Sequence, residues 1–188
     1  KGLLLKPWYH ISITNLETVS MFANMFAGWF ENPDARYNDF IKSLLNNDLK
    51  GMNYYMNKVA LATFSYFDTG KNPSETLEPE RFYHGFVLGL IVELSDRYEV
   101  KSNRESGFGR YDIMLEPIDK SNEKLPGIVI EFKVINLRKE QTLEETVAAA
   151  LKQIEEKNYD AELIKRGMKA EKIHHYGFAF KGKEVLIG

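Results

Sequence analysis

The sequence predicts an α/β (α+β) chain in which helices flank a mixed central sheet, preceded by an all-helical N-terminal segment. Three observations predict it. Apolar residues recur at helical spacing through the first third of the chain. Four short segments beyond residue 97 run apolar or alternate as strands do. The later pieces follow in the order helix, three strands, helix, strand. A length of 188 residues allows one domain, or one domain with a helical appendage. We place that division at residue 75, with 1–75 helical and 76–188 mixed. The 44% hydrophobic and 13% aromatic fractions suit a chain with a buried core.

The elements follow in order. Thr14-x-x-Glu17 has the form of a capping box, and Val19, Phe22, Phe26 and Trp29 continue at helical spacing. Asn32-Pro33 has the form of a cap followed by a first-turn proline. Tyr37, Ile41, Leu44 and Leu45 mark a second amphipathic helix, and Met52, Tyr55, Val59, Ala62 and Tyr66 a third. Such stripes are packing surfaces far more often than cofactor boxes. The turn-rich Asp68–Ser74 closes this part. Residues 79–98 predict an apolar helix with Tyr83, Val87, Leu90 and Leu94 on one face and Glu80 a turn before Tyr83. Strands are predicted at Tyr98–Ser102, Tyr111–Glu116 and Ile128–Ile135, separated by a glycine-bearing loop (Asn103–Gly109) and a polar one (Asp119–Gly127). The third is apolar on both faces, as a central strand should be. A helix over Leu143–Lys157 and a shorter piece over Asp160–Arg166 come next. Ile173–Phe180 then alternates as a fourth strand, and Gly182 turns the chain into Val185–Ile187.

Composition excludes several chemistries. There is no cysteine, hence no disulfide, thiol nucleophile or cysteine-bound zinc, as suits a reducing cytoplasm. The formal charge of −2 gives no global basic field, so any nucleic-acid contact must rest on local patches. No apolar run approaches the roughly 20 residues of a membrane span. The opening KGLLLKPWYH is too short in its apolar part for a signal peptide. Gly177-FAFK-Gly182-Lys183 mimics a phosphate-loop spacing, but Glu184 stands where serine or threonine is required. His174 and His175 are strand neighbours and must point to opposite faces, so they cannot share a metal.

The chemistry concentrates in Gly109–Asn136. Asp112 opens one strand, and Glu131 and Lys133 lie inside the next, two apart and therefore on one face. Carboxylates within a buried strand are costly to retain. Two that converge repel each other unless a cation lies between them, and oxygen donors favour magnesium or manganese over zinc. Such an ion would bind phosphate oxygens and acidify a water, with Lys133 supplying positive charge to the transition state. Glu80 is a candidate fourth member. The bland alternatives are a turn aspartate at Asp112, an exposed Glu131–Lys133 ion pair, and a first-turn acid at Glu80 that serves only the helix dipole.

Asp112, eighteen intervening residues and Glu131-Phe132-Lys133 resemble the motif of the PD-(D/E)XK nuclease superfamily, and the element order resembles its restriction-endonuclease-like αβββαβ core. ERFYHGFVLGL, SNRESGFGRYDIML and IVIEFKV look like the C-terminal domain of bacterial AAA-ATPase-like proteins. That resemblance implies Asp112, Glu131, Glu80 and the Phe132 carbonyl as ligands of Mg2+ or Mn2+, and Lys133 as the catalytic lysine. It implies a nuclease acting on DNA rather than RNA, an ATPase module preceding this domain on the same polypeptide, and a homodimer where both strands are cut. It equally admits a non-catalytic module that binds nucleic acid or protein and regulates such an ATPase. Gln153 and Tyr159 are similar to a Gln…Tyr signature in related nucleases, with five intervening residues here instead of three. Arg104 and Arg110 flank the loop before Asp112 and are candidate phosphate contacts.

Overall fold

Five strands hydrogen-bond into one mixed sheet, and its two apolar faces organise everything around it. The structure, a computed structural model, describes residues 37–63 and 77–188, with the side chains of 39–62 and 83–188. The helix expected over 14–30, the Asn32-Pro33 cap and the Asp68–Ser74 turn lie outside the described residues. Among the described residues two helices come first, α1 (Tyr37–Leu45) and α2 (Leu49–Thr63), followed by α3 (Leu77–Ile91). The strands are β1 (Tyr98–Ser102), the short pair β2 (Glu105–Ser106) and β3 (Gly109–Arg110), β4 (Ile113–Pro117) and β5 (Gly127–Val134). Helices α4 (Leu143–Lys157) and α5 (Ala161–Lys165) precede β6 (Ile173–Lys181) and β7 (Glu184–Ile187).

The sheet order is β1-β4-β5-β6-β7, while β2 and β3 form a separate hairpin. All neighbouring pairs are antiparallel except β5 and β6, which α4 connects in parallel. Alternation along β4 and β5 builds two cores. Ile113, Leu115, Ile128, Ile130 and Phe132 face one side, with Tyr83, Val87, Met52, Phe40 and the β6 aromatics. Met114 and Val129 face the other, with Ile154, Tyr159, Leu163 and Met168. No helix among the described residues is long and apolar enough to cross a membrane.

Several boundaries differ from the sequence reading, two of them by more than one residue at an end. The helix expected over 79–98 stops as α-helix at Ile91 and continues as a 3-10 turn over Val92–Asp96, a tightening that carries Leu94 into the core. The strand expected at Tyr111–Glu116 instead spans Ile113–Pro117. Asp112 stands just outside it: its carbonyl still accepts from the Asn103 N–H at 2.9 Å beyond the end of β1, while toward β5 its carboxylate takes the Phe132 N–H.

Side chains complete the hydrogen bonding in two further places. Asn53 and Asn57, one turn apart on α2, each accept from a β7 N–H and donate to a β7 carbonyl, at Ile187 and Val185 respectively. Lys101 on β1 is buried and holds Glu116 at 2.5 Å and Glu162 at 2.9 Å, while Lys120 and Arg166 reach Glu116 at 2.7 and 3.1 Å.

Candidate active site

Strands β4 and β5 pair only from Ile113↔Ile130 to Leu115↔Ile128. Beyond Ile130 they part, because β4 is fed by the β2–β3 hairpin rather than by a continuing strand. The Phe132 N–H, without a strand partner on that side, donates to Asp112 Oδ2 at 2.8 Å. This bond brings the Asp112 carboxyl against that of Glu131. Burial pushes Asp112 above the ordinary carboxylate range, and the Phe132 N–H, His84, Lys133 and Glu131 pull it back. Glu131 is buried, while Lys133 keeps a quarter of its side chain in water.

Helix α4 supplies the next layer. The β5–β6 register sets Glu131 opposite Gly177, where a Cβ would come within 2.9 Å of the Val147 carbonyl and 3.0 Å of Ala150 Cβ. Glycine there lets α4 lie close over the sheet. One turn beyond Ala150, Gln153 therefore reaches the acidic pair. Its Oε1 accepts from Lys133 Nζ at 2.7 Å, and its Nε2 donates to Glu131 Oε1 and to the Tyr159 hydroxyl, the latter at 3.1 Å. Lysine can only donate, so the carbonyl end of the amide must face it. Lys133 Nζ also lies 3.7 Å from Glu131 Oε1.

Tyr159 lies six residues after Gln153, a spacing that a continuous helix would place on another face. The chain solves this at Asn158, whose left-handed φ of 52° ends α4 after Lys157 and turns Tyr159 back beneath it. Burial raises the Tyr159 hydroxyl, the Gln153 amide lowers it, and Glu131 and Asp112 raise it further.

The structure thus brings together Asp112, Glu131, Lys133, Gln153 and Tyr159. The backbone of Glu80 belongs to α3, and its side chain lies outside the described residues. Arg104 and Arg110 are exposed on the hairpin segment rather than turned into the carboxylate pair. His84 is the neighbour that the sequence reading passed over. Its ring tilts against Phe132 at 5.5 Å, its Nε2 lies 3.0 Å from Ser102 Oγ, and it is among the neighbours that lower Asp112. The available signal was its i, i+4 spacing from Glu80 on an expected helix. His175, by contrast, pairs with Asp160 through Nε2 at 2.8 Å. Among the described residues no group of three or more histidines, aspartates or glutamates is placed to hold a metal.

A mixed sheet that splays beside an acidic pair and a lysine, with helices on both faces, is the framework of a nuclease-type fold. A family model described as the PD-(D/E)XK nuclease superfamily matches residues 78–188, and the chain belongs to that superfamily. Neither the search of curated proteins nor that of solved structures returned a match. The matched span runs from α3 to the end of the chain and leaves α1 and α2 outside it.

Proposed function

We propose that the protein hydrolyses phosphodiester bonds in nucleic acid, DNA before RNA, with a divalent cation as cofactor. The observation that carries this reading is the meeting of the Asp112 and Glu131 carboxyls with Lys133 beside them. The donor set fits magnesium or manganese. Both side chains offer hard oxygen, and magnesium is commonly held by one or two carboxylates while it keeps waters and substrate phosphate. Asp112 and Glu131, with the Phe132 carbonyl and Glu80 as further donors, are the residues that would hold it. When bound, such an ion supplies Lewis acidity and a water acidified toward neutrality. Lys133 supplies positive charge where the attacked phosphate gains negative charge. Gln153 holds that ammonium and the Glu131 carboxylate in one orientation, so neither must reorganise during the reaction. The resemblance to the C-terminal domain of AAA-ATPase-like proteins supports an ATPase on the same polypeptide as partner, and two-strand cutting would require a homodimer.

Thermal unfolding tests the cation without relying on activity. Mg2+ or Mn2+ should raise the melting temperature of the wild type and leave Asp112→Asn unchanged. In metal-free buffer near neutral pH, Asp112→Asn should be the more stable protein by about 0.5–2 kcal/mol, since it removes a carboxylate that burial disfavours while keeping an acceptor for Phe132. The sign is that of a raised acid: Asp112 favours the fold while protonated, below its ordinary value near 3.8, and that contribution fades as pH rises through the folded-state value. A wild type indifferent to both ions, or a metal response retained by Asp112→Asn, would overturn the ligand assignment.

For Gln153→Ala, turnover should fall about 10- to 100-fold with KM nearly unchanged, because the amide orients two reacting groups without binding substrate. A KM effect alone would make Gln153 a substrate contact. The second reading, a non-catalytic module of this fold that binds nucleic acid or protein and regulates an associated ATPase, draws support from the mildly acidic net charge of −2. Cleavage of mixed DNA and RNA substrates in magnesium or manganese separates the two.

A further inference from the structure

The hairpin between β1 and β4 ends in an aromatic that the fold does not use. Phe108 is 79% exposed, the highest value among the exposed large hydrophobics of the described residues, yet the backbone that carries it is firmly held. Its own N–H donates to the Lys157 carbonyl at 2.7 Å, at the end of α4. Ser106 Oγ donates to the Tyr159 carbonyl at 2.7 Å and accepts from the Glu162 N–H at 3.2 Å. Gly107 adopts a φ of +59°, and a Cβ there would fall 2.2 Å from the Lys157 carbonyl oxygen. Gly109 packs against the Tyr159 ring, 3.2 Å from its hydroxyl to the position of an added Cβ. The hairpin is thus clamped to the turn that delivers Tyr159 to Gln153 and Glu131. A floppy tip could fold a phenylalanine back onto apolar surface; this one holds it in water.

The surroundings point to a particular partner. Arg110 directly follows Gly109, Arg104 lies on the segment entering the hairpin, and both are exposed. The Lys157 stem touches Gly109. The three cations outnumber the hairpin's one exposed acid, Glu105 opposite Arg110, and positive groups around a rigid aromatic are the combination by which proteins hold unpaired nucleotides, cations on the phosphates and a ring against a base. Resting on the nuclease reading above, we propose that Phe108 is a stacking platform for an unpaired base next to the scissile phosphate. The hairpin would therefore favour single-stranded nucleic acid, or a strand end or junction with a splayed base, over continuous duplex.

Equilibrium binding of the full chain in metal-free buffer tests this, using a fluorescent single-stranded DNA oligonucleotide and the matching blunt duplex. Phe108→Ala should weaken single-strand binding roughly 10-fold and duplex binding far less, consistent with loss of one stacked base. Phe108→Trp should bind like the wild type, and Phe108→Leu, apolar without a π face, should resemble Phe108→Ala. The exposed Ile118→Ala serves as control and should leave both affinities unchanged. With so little of Phe108 buried, the variants should share one melting temperature. A binding-competent wild type with an unaffected Phe108→Ala would overturn the platform, leave the nuclease reading standing, and mark the tip for a protein partner. Equal losses on both substrates, or full affinity in Phe108→Leu, would also overturn it. A wild type that neither binds nor cleaves nucleic acid would overturn both proposals together.

Discussion

Lys133→Ala is expected to lower nucleic-acid cleavage by about 10²- to 10³-fold, the usual cost of removing a group aimed at developing charge. Glu131→Gln should do at least as much, since it removes one of the two carboxylates without changing the shape of the site. The geometry sharpens the expectation. Lys133 Nζ sits 2.7 Å from Gln153 Oε1 and 3.7 Å from Glu131 Oε1, a place made for a compact ammonium. Lys133→Arg should therefore recover little, because a planar guanidinium is wider and donates as a fork. Single-turnover rates on a saturating substrate, with binding followed separately, isolate the chemical step. Cleavage undiminished in both Lys133→Ala and Glu131→Gln would remove these residues from the reaction.

The second large effect concerns stability, at Lys101 and Glu116. The pair meets at 2.5 Å with side chains only 1% and 3% exposed. Removing either partner strands a charge in the core, so Glu116→Ala and Lys101→Ala should each cost about 3 kcal/mol, a value tempered by the second contacts each keeps. Lys101 retains Glu162, and Glu116 retains Lys120 and Arg166. The double replacement Lys101→Met with Glu116→Leu should cost much less than the sum, since no unpaired charge is left behind. Urea unfolding with an unchanged m-value provides the measurement. Additive losses would show that the pair is not coupled.

The pH dependence has a definite sign. For Glu116, burial works to raise the pKa, but the Lys101 and Lys120 bonds win and hold it below 4.5. Its contribution is present above that value and lost as pH falls through the depressed one. For Lys101, burial works to lower the pKa, while Glu116 and Glu162 hold it above 10.5. That contribution is present below 10.5 and lost as pH rises through the raised value. The coupling should therefore be greatest between about 4.5 and 10.5.

Much of the fold was legible because its signals are local. The helix Leu143–Lys157 carries the stripe Leu143, Val147, Ala150, Leu151 and Ile154, so its bounds could be read from residues alone, and the structure adds a cap at Thr142, whose side chain accepts from the Glu145 N–H. The strands around Glu131 announced themselves by unbroken apolar runs. What could not be read depends on distant partners. The Asp112 carboxylate meets β5 through a bond to Phe132, twenty residues away. Gln153 meets Tyr159 only because Asn158 takes a left-handed turn, which relaxes the spacing that a straight helix would demand. Spacing alone set Gln153 beside a signature whose interval it does not match, and only packing over Gly177 shows it touching both Lys133 and Glu131. His84 was passed over because its spacing from Glu80 says nothing of Phe132, Ser102 and Asp112, the neighbours that the fold brings to it.

The asparagine pair on α2 carries a consequence for solubility. Outermost strands offer a ragged row of donors and acceptors that another chain can zip onto. At Val185 and Ile187 that row is already occupied by carboxamides, each acting as a short false strand. A fibril or a second copy would have to evict the helix before it could extend the sheet there, so self-association along this margin is blocked by the same two residues that fasten α2 in place.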